Sequence, residues 1–277
     1  MSADWNGRAA GVDPRAGRPE GWPGEAPEGL FRQPGLLSGN LAKVKIVAEL
    51  LALLESRPGP LEILDVGCAG PTPFNQWRYL LAEQPERIRL TGIDVRGLER
   101  ARAAARELGF SVELREISAY RMADELARTF DVVVSTQVLE HLRRPDVFLE
   151  QLARTLRPDG VAYLSLDSAH FRGSRTLADR ARDLVRPWLG ERYHDSGLTV
   201  EEVQARIQAA GLHLEDLRLY NLGPLKRFHN HELAGERQGR FLRDWYALEE
   251  TLNGDPAFLA RHRRHFADIY LKARRAR

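Results

Sequence analysis

The residues with the most chemical potential stand close together in residues 62–71, Glu-Ile-Leu-Asp-Val-Gly-Cys-Ala-Gly-Pro. Ile63, Leu64 and Val66 bracket an acid, Asp65, and lead into the small-residue run Gly67, Cys68, Ala69, Gly70. Gly67 and Gly70 can take positive φ and leave room for a ligand against bare backbone. Asp94, 29 residues beyond Asp65, closes a second apolar run and supplies a carboxylate suited to ribose hydroxyls. Three histidines, His141, His170 and His194, could each move a proton near neutral pH, and each could equally serve as a structural hydrogen-bonding group. His229 and His231 are two residues apart and would diverge on a helix or a strand, so no shared metal site is expected from them.

These residues need a frame, and the alternation of patterns supplies one. Short apolar runs predict strands over 61–66, 88–95, 111–117, 130–135, 161–166, 212–222 and 266–273. The run 130–135 has no wet face, as expected of a central parallel strand. Between the strands lie helical patterns. Val44, Val47, Ala48, Leu51 and Leu54 share a face, and the segment 57–60 (Arg-Pro-Gly-Pro) stops that helix. Further helices are expected over 74–82, 97–108, 120–128 and 145–156, with Gly109 at the C′ position of the 97–108 helix. Thr199-Val200-Glu201-Glu202 reads as a capping box that opens another. Strands alternating with helices imply right-handed βαβ units, hence an α/β fold with a parallel sheet and helices on both faces. Two insertions interrupt the alternation at about 169–198 and 223–265, the second mostly helical. Phe171, Trp188, Tyr193 and Tyr220 are candidates either to line an acceptor pocket or to pack in a core. Residues 1–39, rich in Gly, Pro and charge, are expected to form a flexible arm or a lid carrying Trp5 and Trp22.

Composition narrows the class. The 277 residues are 43% hydrophobic and 29% charged with a formal charge of +2, which is ordinary for a soluble domain. Arginine greatly outnumbers lysine, most simply a property of the genome or of a heat-adapted surface. Cys68 is the only cysteine, so no intrachain disulfide is possible. No apolar stretch is long enough to span a bilayer, and the N-terminus lacks a secretory pattern. The expectation is a cytoplasmic protein with no membrane association. Residues 261–277 hold seven Arg or Lys and one acid. A solvated helix face and tail accounts for them without RNA, since no base-flipping signature accompanies the run.

A strand, a glycine loop and an acid after the next strand fit two ligands, a dinucleotide or S-adenosylmethionine. A dinucleotide loop has G-x-G-x-x-G facing a pyrophosphate. Here the third glycine position is Pro73, and Asp65 would repel a pyrophosphate while suiting the cationic amino group of a methionine moiety, directly or through water. Residues 63–70 resemble the first motif of class I S-adenosylmethionine-dependent methyltransferases, with Ala69 in place of the middle glycine. Gly92-Ile93-Asp94 resembles the second motif. The segments 130–135 and 138–142 resemble the fourth-strand region of the small-molecule branch of that family, and 156–160 resembles the turn before its fifth strand.

The resemblance implies a Rossmann-like seven-stranded, mostly parallel sheet whose last strand inserts antiparallel, with the insertions as helical caps. It implies S-adenosylmethionine as cofactor, S-adenosylhomocysteine as product, and a small-molecule acceptor methylated at O, N or C. It places cofactor contacts at Asp65, Gly67, Cys68, Ala69, Gly70, Asp94, Val95, Ser118, Ala119, Thr136 and Gln137. His141, His170 and His194 are the candidate bases. A related variant uses Glu-x-x-Glu-His to hold Mg²⁺. The first acid is Gln137 here, a poor ligand for that ion, so no metal is expected.

Overall fold

The computed structural model describes residues 28–31, 40–70, 74–171 and 197–276. The described strands are β1 (Leu61–Val66), β2 (Ile88–Asp94), β3 (Glu113–Glu116), β4 (Phe130–Thr136), β5 (Leu156–Asp167), β6 (Leu212–Leu222) and β7 (Phe266–Arg275). They form one sheet in the order β3-β2-β1-β4-β5-β7-β6. The first five are mutually parallel, and β7 runs antiparallel between β5 and β6. The seven expected strands are all present. The α/β class, the parallel sheet and the reversed last strand follow the expectation.

The helices are α1 (Glu28–Phe31), α2 (Leu41–Ser56), α3 (Asn75–Glu83), α4 (Leu98–Leu108), α5 (Met122–Leu126), α6 (Pro145–Thr155), α7 (Val200–Ala209), α8 (Gly223–Glu232), α9 (Glu236–Asn253) and α10 (Pro256–His262). Each has a local cause. Asn40 caps α2, its side chain accepting from Lys43 N at 3.2 Å. Gly109 ends α4 at φ +69°. The expected capping box of α7 is formed on both sides, Glu202 N to Thr199 Oγ1 at 3.1 Å and Thr199 N to Glu202 Oε2 at 2.8 Å.

Helices cover both faces of the sheet, and the core divides accordingly. On one face Leu41, Val44 and Val47 of α2, Trp77 of α3 and Trp245 of α9 pack on Ile63, Val132, Val134 and Tyr163. On the other, Phe148 and Leu152 of α6 and Val203 and Ile207 of α7 pack on Leu64, Val133, Leu164 and Ile269.

Three details add to the expectation. β5 begins at Leu156, directly after α6, and the expected turn at 157–160 is an unpaired bulge within it. A register shift between Phe130 and Val132 absorbs the extra chain. Gly160 is required there, since a Cβ would lie 3.0 Å from two backbone oxygens. Within residues 1–39, the described segment α1 is docked, with Leu30 and Phe31 buried and Phe31 against Tyr246 at 6.2 Å. The basic C-terminal run is largely β7 rather than a tail. Lys272 Nζ meets Glu49 of α2 at 2.9 Å and Arg274 Nε meets Glu215 of β6 at 2.5 Å, so both of these charges are paired inside the fold. Trp5, Trp22, Trp188, Tyr193 and most of the first insertion lie outside the described residues.

Candidate active site

The strand order reverses beside β1, where the chain goes one way to β2 and the other way to β4. In such sheets ligands bind outside the carboxyl ends of the strands at that point. The glycine loop leaves β1 there. Gly67 has φ +82°, and a Cβ on it would lie 2.4 Å from Val138 Cγ2. Only glycine fits both the backbone and the space. The loop is tied to β2 by Gly67 N donating to Ile93 O at 2.9 Å. Asp94 completes the link: Oδ2 accepts from Ala69 N at 3.1 Å and Oδ1 from Arg96 N at 3.3 Å. Each carboxylate oxygen keeps a further lone pair for an incoming hydroxyl. A Cβ on Gly70 would meet nothing within 4 Å, so the loop faces open space at that residue. Val95, next to Asp94, is 54% exposed and offers an apolar surface.

Other predicted contacts are placed less directly. Cys68 turns its thiol into the core against Gly92, and burial pushes that thiol's pKa up, so only its backbone borders the crevice. Asp65 is buried and accepts from Trp77 Nε1 at 2.6 Å. Burial pushes its carboxyl up to about 6, opposed by that hydrogen bond and by the nearby Lys43. Ser118 Oγ accepts from Tyr120 N at 3.3 Å, and Ala119 packs on the second core. Thr136 ends β4. Gln137 follows in a left-handed conformation (φ +58°), its amide donating to Asp268 Oδ1 at 3.4 Å. Its side chain thus points across the sheet toward β7.

The histidines separate. His141 is exposed on the short 3₁₀ turn Leu139–His141 after β4, whereas its neighbour Glu140 is fully buried. His170 sits at the start of α7, where Nε2 accepts from Val200 N at 3.2 Å and lies 3.2 Å from Glu201 Oε2. His194 lies outside the described residues. His229 is buried beside Trp245 while His231 is exposed, so the two diverge as their spacing predicts. Tyr220 is core: it is fully buried and hydrogen-bonded to Glu250.

Residues that sequence reasoning passed over cluster on the same face as Asp65. Lys43 lies one turn into α2; burial pulls its ammonium pKa down, while Asp65 and Asp268 hold it up. Asp268 is fully buried at the start of β7, opposite Asp167 at the end of β5. Lys226 of α8 lies 3.7 Å from it. A signal for Asp268 existed: an acid inside the apolar run Phe266–Leu271 is the same anomaly as Asp65 inside its strand. The loop geometry, the ribose-type acid and the order of strands now point one way.

The chain belongs to the methyltransferase domain family. The family model matches residues 40–217. Among curated relatives, the ubiquinone biosynthesis O-methyltransferase of Agrobacterium fabrum is 30% identical over 158 residues, 55% of this chain and 59% of that one. The chain thus spans about three-fifths of the length of that relative. Among solved structures, the plantazolicin methyltransferase BamL, in complex with a triazolic desmethylPZN analog and SAH, aligns at TM-score 0.54 and 14% identity, covering 88% of this chain and 86% of that one. The [4+2]-cyclase SpnF aligns at TM-score 0.51 and 21% identity, covering 82% and 80%. At these identities the two structures speak for the fold alone, and the cyclase shows that one fold hosts different chemistries. The methyltransferase family uses S-adenosylmethionine. The crevice fits it: a side-chain-free loop face at Gly70, a ribose-type carboxylate at Asp94, an apolar shelf at Val95, and the opposite charges of Asp65 and Lys43 for an amino acid's zwitterion.

Proposed function

We propose that the protein transfers the methyl group of S-adenosylmethionine to a small-molecule acceptor. The observation that carries this reading is the linked pair of loop and acid, in which Asp94 takes the Ala69 amide while the loop stays open at Gly70. Asp94 would hold the ribose, and Val95 would lie against the base. Lys43 would attract the carboxylate of the methionine moiety, and Asp65 would balance its ammonium from beneath the loop. When bound, the cofactor supplies an electrophilic methyl on a sulfonium. The protein's part is to hold the acceptor atom in line with it and to keep water away. Because the relatives include an O-methyltransferase, hydroxyl compounds are the first acceptors to try.

Calorimetry tests the cofactor directly. S-adenosylmethionine and S-adenosylhomocysteine should bind, with NAD silent. Release of S-adenosylhomocysteine in the presence of a panel of phenols, catechols and amines tests turnover. An absence of binding by either sulfur compound would overturn the reading.

A further inference from the structure

Beyond β4, on the same face of the sheet as Asp65, lies a second polar group that cofactor binding does not use. Register places it. Asp65 pairs with Val134, Val134 with Tyr163, and Asp167 lies four residues beyond Tyr163 along β5. Asp167 in turn pairs with Asp268 of β7. With side chains alternating along each strand, Asp65, Ser165, Asp167 and Asp268 share one face.

The support around Asp268 is built. Asn221 and Gln137 are two of the four described non-glycine residues with positive φ, at +66° and +58°. Both direct their side-chain amides onto the Asp268 carboxyl. Strained backbone converging on one buried acid is characteristic of functional sites. Asp167 is half-buried and pairs with Asp268 in register across β5 and β7. Burial of Asp268 beside a second carboxyl disfavours its charged form, and Lys226 opposes that. Independently, two buried polar atoms beside the pair have no partner. Glu140 uses Oε1 to accept from Asp167 N at 3.3 Å, and its fully buried Oε2 is unpartnered. Ser165 Oγ, one step below Asp167 on the same face, is likewise buried and unpartnered.

We propose that Asp167, backed by Asp268, binds the hydroxyl group of a neutral acceptor and takes its proton. This rests on the methyltransferase reading and deepens it. Charge selects the class. The groups facing the pair are Lys226 of α8, Lys43 of α2, Glu140 of the turn after β4 and Glu249 of α9. Lys43 and Lys226 offset the carboxyls of Asp65 and of the Asp167–Asp268 pair. Burial pushes Glu140 up to about 8, toward its neutral form. Glu249 is engaged by the amides of Asn221 and Leu222 and by the Trp245 indole. A site so balanced favours an uncharged donor over an ammonium or a carboxylate, and Lys226 favours an oxyanion as it forms. In the step itself the acceptor O–H bond breaks, its electron pair stays on oxygen, and the proton joins the Asp167 carboxyl, which releases it to water.

The probe is 4-nitrocatechol, whose ionised form is visibly coloured, added to the full chain saturated with S-adenosylhomocysteine. Wild-type protein should bind it and ionise it at a lower pH than free solution does. Asp167→Asn should weaken probe binding by about tenfold or more and abolish the lowered ionisation, while the affinity for S-adenosylhomocysteine stays within about threefold. Lys226→Gln, on a partly exposed helix face, should raise the pH of ionisation with less loss of affinity. Wild-type protein that binds S-adenosylhomocysteine but not the probe overturns the proposal, as does an Asp167→Asn protein that binds and ionises it normally. Failure to bind S-adenosylhomocysteine at all would instead overturn the broader reading.

Discussion

Asp94 has two duties at the residue scale. Its carboxylate fastens the glycine loop through Ala69 N and presents its remaining lone pairs to the crevice. Asp94→Ala should therefore weaken S-adenosylhomocysteine binding by about tenfold to a hundredfold, the range for losing hydrogen bonds to a charged group, as read by calorimetry. Unchanged affinity would remove Asp94 from the ribose role. Gly67 is constrained differently. Gly67→Val combines a φ that β-branched residues avoid with a collision against Val138, and should cost about 3 kcal/mol of stability by chemical denaturation. A loss below about 1 kcal/mol would mean that the loop relaxes to accept a side chain.

At the scale of elements, two short contacts decide how outer segments attach. The first is α1 on α9. Gly239 lies inside α9, where glycine to alanine ordinarily gains up to about 1 kcal/mol. Here a Cβ would lie 2.1 Å from Phe31 O. Gly239→Ala should thus destabilise rather than stabilise, and limited proteolysis should cut faster on the N-terminal side of Asn40. A stabilised, protease-resistant variant would show that α1 does not dock there. The second is the start of α7, where Thr199 and His170 both satisfy helix amides. Thr199→Ala should cost about 1 kcal/mol in thermal unfolding, and no measurable loss would mean that His170 alone suffices as a cap.

Across the whole molecule, buried carboxyls set the response to pH. Burial raises Asp65 to about 6, Glu249 to about 7 and Glu140 to about 8. Each folded-state pKa exceeds the unfolded value, so the folded chain holds more protons across that interval. Stability then falls as pH rises from about 4 to about 8. Partly buried Glu49 is shifted the other way by Lys272 and Lys45 despite its burial, and its contribution is lost below about pH 4.5. Melting temperature should therefore peak near pH 5 and decline toward pH 8. A curve that is flat or rises over that range would contradict the burial of these acids.

The sequence by itself determined the scaffold and the donor side of the site. Strand and helix periods are local, and so is the demand of the 67–70 loop for small residues. Asp65, Asp94 and the loop are therefore readable within 30 or so residues of one another. The first-strand acid could be seen, but not that the Trp77 indole would donate to it. Only the tertiary structure decided the acceptor side. Asp167 and Asp268 are about 100 residues apart in the chain and meet because β7 inserts antiparallel against β5. Gln137, Asn221 and Lys226 reach Asp268 from three further elements. Such a meeting depends on long-range register, which no local pattern encodes, and it is the sheet's order that turns scattered polar residues into one site.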